Sequence, residues 1–308
     1  MTTDAQPDPA AQRERAFAMI LLFIVPALFT TNVVVARAVN DTVPPFALAY
    51  WRWMLAFLLF LPVVGPELWR HRAAVAAEWR DLLVLGILGM GICGAFVYIG
   101  ADTTSATNIG LIFGTAPIII AGASTLMYGE PMSRAKAAGI FISPMGVLVI
   151  IFRGDVDALR ALTFVPGDLW IVTSALAWAI YSVMLRHRPG ALPARARFSA
   201  TMLFGALALL PFYIAETAQG VVPTLNPETI GTVLIVAIVP GLAAYIGYAR
   251  IQRSLGAGST GLILYLAPCY AALFGWLLLG ETLEPYHFAG AALILPGIFL
   301  STRPVRGS

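Results

Sequence analysis

The residues Ala106 to Ile151 recur without a gap as Ala257 to Thr302. In this register Pro117 falls on Pro268, and Gly129-Glu130 falls on Gly280-Glu281. Gly110, Ala116, Gly139 and Gly146 fall on Gly261, Ala267, Gly290 and Gly297. Each copy is a long apolar run with a proline near its middle, then a Gly-Glu turn, then a second apolar run. A long apolar repeat in each half of a chain is the pattern of a duplicated membrane bundle. Greasy composition alone makes two hairpins look alike, but it does not place a proline and a Gly-Glu pair in one register.

The rest of the chain agrees with a lipid environment. Of its 308 residues, 59% are hydrophobic and 11% charged. A soluble domain carries about 25% charged residues, so this chain cannot cover itself with a polar surface. One span needs about 20 apolar residues, and the length allows roughly ten. The spans are expected at about 16–38, 45–63, 81–101, 106–128, 134–152, 167–187, 197–215, 228–250, 257–279 and 285–301. The fold class is therefore an all-α membrane protein of ten transmembrane helices in two five-helix repeats. The first repeat covers 16–152 and the second 167–302. A disordered cytoplasmic tail at 1–15, an external linker at 153–166 and a short cytoplasmic tail at 303–308 complete the chain. No cleavable leader is expected, because the first apolar run is long enough to span and lacks a small-residue cleavage site.

Basic residues set the orientation. With the N-terminus inside, fifteen of the 19 Lys and Arg residues fall on the cytoplasmic side. Only Arg37, Arg52, Arg153 and Arg160 fall outside, a strong positive-inside bias. Both termini are then cytoplasmic, in a cell inner (plasma) membrane. Each half has an odd number of helices, so the halves point in opposite directions, the inverted arrangement associated with alternating access. The basic balance reports orientation and not nucleic-acid binding.

The chain resembles the drug/metabolite transporter superfamily, specifically proteins with two EamA domains, over about 17–302. The residues that carry the resemblance are the second helix with Trp51-Arg52-Trp53 after Pro44-Pro45, the repeated helices around Pro117 and Pro268, and the two Gly-Glu turns. The resemblance implies a bundle around a central pocket, with helices 5 and 10 at the periphery. It implies movement of small organic solutes, often export of amino acids or metabolites. The aromatic segment usual early in helix 1 is replaced here by PALFTTN, so pocket chemistry does not carry over from relatives.

Candidate pocket residues follow from the cost of polar groups at membrane depth, which should face the bundle interior. They are Asn32, Arg52, Asn108, Thr115, Trp178, Tyr181, Tyr245 and Tyr265. Trp178 and Tyr181 are three apart on one helix and share a face. Aromatic walls with a few hydrogen-bonding groups suit an amphipathic solute. Trp69, Trp79, Trp170 and Tyr286 fit interfacial belts instead. Pro117 and Pro268 are candidate kinks or gates, since a mid-span proline frees a carbonyl. Pro240-Gly241 and Gly86, Gly89, Gly91 and Gly94 read as close-packing positions. Arg52 is expected in a fixed pair with Asp102, Glu281 or Glu284, or snorkelling; in the other reading it or Arg37 attracts a substrate carboxylate. Gly129, Glu130, Gly280 and Glu281 are structural turns, with the two carboxylates at the starts of helices 5 and 10.

Several functions are disfavoured. Gly-x-Ser-x-Gly, His-Glu-x-x-His and Walker patterns are missing, as is a charged ring or filter loop. The chain is expected to be no enzyme and to need no cofactor or metal; Cys93 and Cys269 lie in apolar runs. No carboxylate lies at mid-span, which points to facilitated efflux, exchange, or coupling through Asp102 or Glu130. The expected function is a secondary exporter or exchanger of small organic metabolites, partnered by lipid and a small-molecule substrate, with a homodimer left open. A non-transporting sensor or structural bundle is the alternative.

Overall fold

The computed structural model describes residues 9–38, 42–155, 157, 162–224, 226–279 and 282–302. The expected tails at 1–8 and 303–308, Arg160, the Arg37 side chain and the Gly280-Glu281 turn lie outside the described residues.

The described chain is helical throughout. We label α1 (Pro9–Ala38), α2 (Pro45–Arg70), α3 (Trp79–Ala101), α4 (Ala106–Phe113 then Ala116–Tyr128) and α5 (Arg134–Ile151). The second half holds α6 (Pro166–His187), α7 (Ala194–Ala218) and α8 (Pro227–Leu255). It ends with α9 (Ala257–Gly261 continuing to Ala267–Leu279) and α10 (Pro285–Thr302). Residues 9–15, expected in a disordered tail, already belong to α1. α2 runs past its expected end through Pro62 and Pro66.

Among the described residues nine helical stretches are long and apolar enough to cross a membrane. The stretch expected as the tenth, α10, is helical but is not among them. It opens on Tyr286 and His287, which dilute its apolar content.

Helices of one half pack mainly on helices of the other. α1 lies on α8 and α9, α6 on α3 and α4, α2 on α7, and α5 on α10. The α5–α10 contact is the closest. A Cβ at Gly139 would overlap the carbonyl oxygen of Gly297, and one at Gly146 would overlap that of Gly290. As one position rises along α5 its partner falls along α10, so the two helices run antiparallel. Glycine allows this approach because nothing projects between the backbones.

Two main apolar cores result, beside a small third one of Leu82, Leu192 and Ala200. Trp53, Met90, Trp178, Tyr245 and Tyr248 belong to the larger, among α1, α2, α3, α6 and α8. Ile140, Val147, Tyr265, Ile294 and Ile298 belong to the smaller, among α5, α9 and α10.

Polar ties order the two ends of the bundle. Arg15 Nη2 donates to Thr302 O at 2.8 Å, and Ser259 Oγ to Ser301 O at 3.1 Å. The starts of α1 and α9 and the end of α10 therefore share one end. Glu130 joins Ala257 of α9 and approaches His187, which brings the end of α6 there too. The start of α6, and with it the segment joining the halves, is at the opposite end.

Candidate functional site

Two helices are wound wide at matching positions. α3 is π-helical over Ile87–Ile92 and α8 over Ala237–Ala243. The shift that carries Pro117 onto Pro268 also carries Ile87 onto Ile238, so these defects belong to the repeat. A π turn disturbs the ordinary backbone ladder, and Pro240 has no N–H to give. In lipid, freed carbonyls must find donors inside the protein. Tyr245 Oη donates to Gly89 O at 2.8 Å and Trp53 Nε1 to Met90 O at 3.1 Å. Arg52 Nη2 donates to Pro240 O at 3.1 Å. Gly241 lies close to Ala56 and Arg52 of α2, as a close-packing position would, and Pro240-Gly241 also falls in a π turn held by an arginine. Gly89 does pack closely, since a Cβ there would lie 2.6 Å from the Tyr181 ring.

Arg52 is 3% exposed. Its Nη1 donates to Asn32 Oδ1 at 3.0 Å and to Tyr98 Oη at 3.2 Å. Tyr98 Oη in turn donates to Asn32 Oδ1 at 2.7 Å. The guanidinium lies 4.7 Å from the centre of the Trp53 ring. Among the described residues no carboxylate reaches it, so the expected fixed pair with Asp102 or Glu284 is not formed; Glu281 lies outside the described residues. Nor does the side chain snorkel, because its partners are on α1, α3 and α8 inside the bundle. Arg52 Nε makes no hydrogen bond.

Beside this node the aromatic candidates form one packed group. Trp53 meets Tyr245 edge-on at 4.8 Å, and Tyr245 meets Trp178 at 5.6 Å. Trp178 touches Tyr181 and Tyr248, and Phe29 of α1 closes the group at 5.6 Å from Trp178. Tyr248 Oη bonds Ser182 Oγ at 2.8 Å. Trp178 Nε1 and Ser174 Oγ are buried without a hydrogen-bond partner. Sequence reasoning missed Tyr98, Trp53 and Phe29, whereas Tyr248 was expected beside Tyr245, three residues away on one face of its helix. Phe29 was accessible, because it stands three residues before Asn32 on the same helix face.

Three candidates lie elsewhere. Asn108 Nδ2 donates to Thr163 O at 3.0 Å and to both Asp168 carboxylate oxygens. Asp168 also accepts from Thr104 Oγ1 and from the Val165 amide. Asn108 therefore ties the start of α4 to the start of α6. Asn108→Ala is expected to lower unfolding stability by about 2 kcal/mol, a charge-assisted hydrogen bond's worth; the thermal unfolding midpoint checks this. Thr115 is exposed and folds its hydroxyl onto Ile112 O at 2.7 Å. Tyr265 is fully buried in the smaller core with its hydroxyl unpartnered.

The paired prolines sit at breaks and not within continuous helices. α4 is interrupted at Gly114-Thr115 and restarts at Ala116, with Pro117 second. α9 passes through a 3₁₀ stretch over Leu262–Leu266 and restarts at Ala267, with Pro268 second. Proline fits the first turn of a helix because no donor is wanted there.

Gly129 (φ 66°) ends α4 as a left-handed cap, its amide bonding Thr125 O and that of Glu130 bonding Ser124 O. Glu130 does not cap α5, whose N-cap is Ser133. It crosses to the other half and accepts from the amides of Ala257 (3.0 Å) and Gly258 (3.4 Å) at the start of α9. Lys136 Nζ at 3.4 Å, His187 Nε2 at 3.3 Å and Arg186 Nε at 3.9 Å surround it. Burial opposes its charge, but the Ala257 amide, Lys136, the Gly258 amide and His187 outweigh burial and hold the carboxyl below its ordinary range.

At the same end of the bundle a cleft of about 600 Å³ opens between α1, α2, α7 and α8. Glu14, Glu67, Arg195, Arg250 and Arg253 line it, together with Phe198. Phe198 stacks on Tyr245 at 6.1 Å, so the cleft ends against the aromatic group. Arg250 is held by Glu14 through two hydrogen bonds of 2.7 Å.

Membrane-length helices with interrupted backbones, packed around a buried polar node, define a multi-pass membrane protein. The chain belongs to the EamA-like transporter family, which matches residues 16–152 and again 165–303. An uncharacterized transporter of Archaeoglobus fulgidus is 28% identical over 265 residues, covering 84% of this chain and 88% of that protein. The S-adenosylmethionine/S-adenosylhomocysteine transporter of Chlamydia muridarum is 25% identical over 278 residues, covering 87% of this chain and 86% of that protein. A solved crystal structure at 22% identity shares the fold with a TM-score of 0.72, over 92% of this chain and 96% of that one.

Proposed function

We propose that this chain is a secondary transporter that exports or exchanges small amphipathic metabolites such as amino acids by alternating access. In this reading ten spans form two inverted five-helix repeats in a plasma membrane, with both termini cytoplasmic. The isologous glycine contacts of α5 with α10 support the inversion: copy-equivalent positions exchange partners, as across a two-fold axis. Arg15 and Thr302 at one end of the bundle, with the start of α6 at the other, support it as well.

The observation that carries the function is the pairing of broken backbones, α3 with α8 and α4 with α9, the first pair held by one aromatic and polar centre. A static bundle gains nothing from four interrupted helices in lipid, whereas interrupted helices at the repeat interface are where carriers bind and gate. The cleft that stops at Phe198 and Tyr245 corresponds to an entrance closed by the aromatic group. The relative that carries S-adenosylmethionine transports an amino-acid-bearing solute, consistent with the class proposed here.

Counterflow in proteoliposomes tests the reading, with amino acids and S-adenosylmethionine as the solute panel. Trp178→Phe keeps most of the ring volume but withdraws the unpartnered indole N–H, and is expected to lower flux about tenfold, or 1.4 kcal/mol, with unchanged thermal unfolding. No counterflow of any panel member in wild type would return the chain to the non-transporting alternative.

A further inference from the structure

We propose that Arg52 is the anion-recognition point of this protein and that the solute it takes carries a carboxylate. This rests on the transport reading above and narrows its substrate class.

Arg52 is buried and its hydrogen-bond partners are all neutral: Asn32 Oδ1, Tyr98 Oη and Pro240 O. A buried cation without a counterion is costly, and one neutral donor suffices to hold a freed carbonyl. Holding the α8 bulge therefore does not explain a charge at this position.

The unused capacity points the same way. A guanidinium has five N–H donors, and here Nε has no acceptor. Along the contact chain Arg52, Trp53, Tyr245, Trp178, two further donors, Trp178 Nε1 and Ser174 Oγ, are also buried without acceptors. All three unpartnered groups have hydrogens to offer, and among the described residues no carboxylate lies among them. A site with surplus donors and a net positive charge is complementary to an acceptor-rich anion. The planar fork of arginine matches a carboxylate in particular.

Asn32 shows where one oxygen of that carboxylate would sit. Its Oδ1 receives both Arg52 Nη1 and Tyr98 Oη, at 3.0 and 2.7 Å, a two-donor arrangement suited to an ionised oxygen. The bound anion competes with Asn32 for Nη1 and with Pro240 O for Nη2. Taking Nη2 releases the α8 carbonyl from α2, so binding at this point loosens a contact between the halves. The aromatic group beside it receives the apolar or cationic remainder of the solute.

Binding to the full-length protein in lipid nanodiscs tests this, read by the thermal unfolding midpoint and by ligand titration. The probes are two matched pairs: phenylalanine with phenylalaninamide, and 3-phenylpropionate with 3-phenylpropionamide. Wild type is expected to be stabilised by the acids and not by the amides. Asn32→Asp places a permanent carboxylate on Arg52; it is expected to fold at least as stably and to bind the acids more than about tenfold more weakly. Arg52→Lys keeps the charge but not the fork, weakens the acids by about tenfold and preserves their preference over the amides. Equal response of wild type to acids and amides, or to neither, overturns the proposal. So does undiminished acid binding in either variant. The readout needs no transport, so counterflow that persists after such a failure removes the carboxylate assignment alone.

Discussion

Gly146→Leu is expected to eliminate the folded protein. At Gly146 of α5 the backbone lies against the Gly290 carbonyl of α10, and even a Cβ would overlap that oxygen and approach Ile294 Cγ1 at 2.8 Å. The neighbour in conflict is backbone, so no side-chain rotation relieves it. α5 and α10 must separate, which forfeits the contacts of Gly139, Ser143, Val147 and Ile150 with α10 along the same seam. Overpacking costs about 1–3 kcal/mol when a side chain can adjust; here a whole helix pair has to move, and the loss for leucine exceeds that range. Gly146→Ala is expected to fold with a cost of about 3 kcal/mol. Gly122→Ala is the control, since nothing lies within 4 Å of a Cβ there, and it should leave the protein unchanged. The monodisperse fraction after detergent extraction and the unfolding midpoint read all three. A Gly146→Leu protein that extracts and unfolds like wild type would remove the tight seam from this account.

The second large effect is expected at Glu130. Its carboxylate closes the start of α9 through Ala257 and Gly258 and neutralises Lys136, itself 7% exposed. Glu130→Ala leaves two buried amides without an acceptor and strands a buried ammonium, a loss of about 3–5 kcal/mol. Glu130→Gln keeps an acceptor for one amide and costs less. The pH dependence has a definite sign. The folded carboxyl titrates below its ordinary range, and an unfolded glutamate titrates near about 4.3. The stabilisation is therefore complete above that value and disappears as pH falls through the lower folded one. Wild type should lose stability on acidification across this window relative to Glu130→Gln. Identical slopes for the two proteins would show that the carboxylate is not ionised against these partners.

Much of this architecture was readable in the chain. The matched positions of Pro117 and Pro268 located both helix restarts, because proline constrains its own backbone wherever it stands. The glycines of the repeat showed its register, and the structure sets Gly139, Gly146, Gly290 and Gly297 along the α5–α10 seam. What escaped were features decided by a third element. The π turns in α3 and α8 leave no composition mark beyond Pro240 and a few glycines. Arg52 looked destined for a carboxylate because sequence shows its charge but not that Asn32, Tyr98 and Pro240 converge on it. Glu130 stands beside α5 in the chain, yet the shorter path in space leads to α9. Asn108 and Tyr265 face the interior as expected, but position along a helix does not tell which neighbour a side chain meets.

The dressing of the two wide turns is reciprocal. Gly89 O in the α3 turn accepts from Tyr245 of the second half, and Pro240 O in the α8 turn accepts from Arg52 of the first. Neither half of the chain supplies all of these donors by itself. Synthesised alone, each half would lose one of these side-chain hydrogen bonds. The two halves therefore depend on each other at these turns, and each supplies the other with a donor.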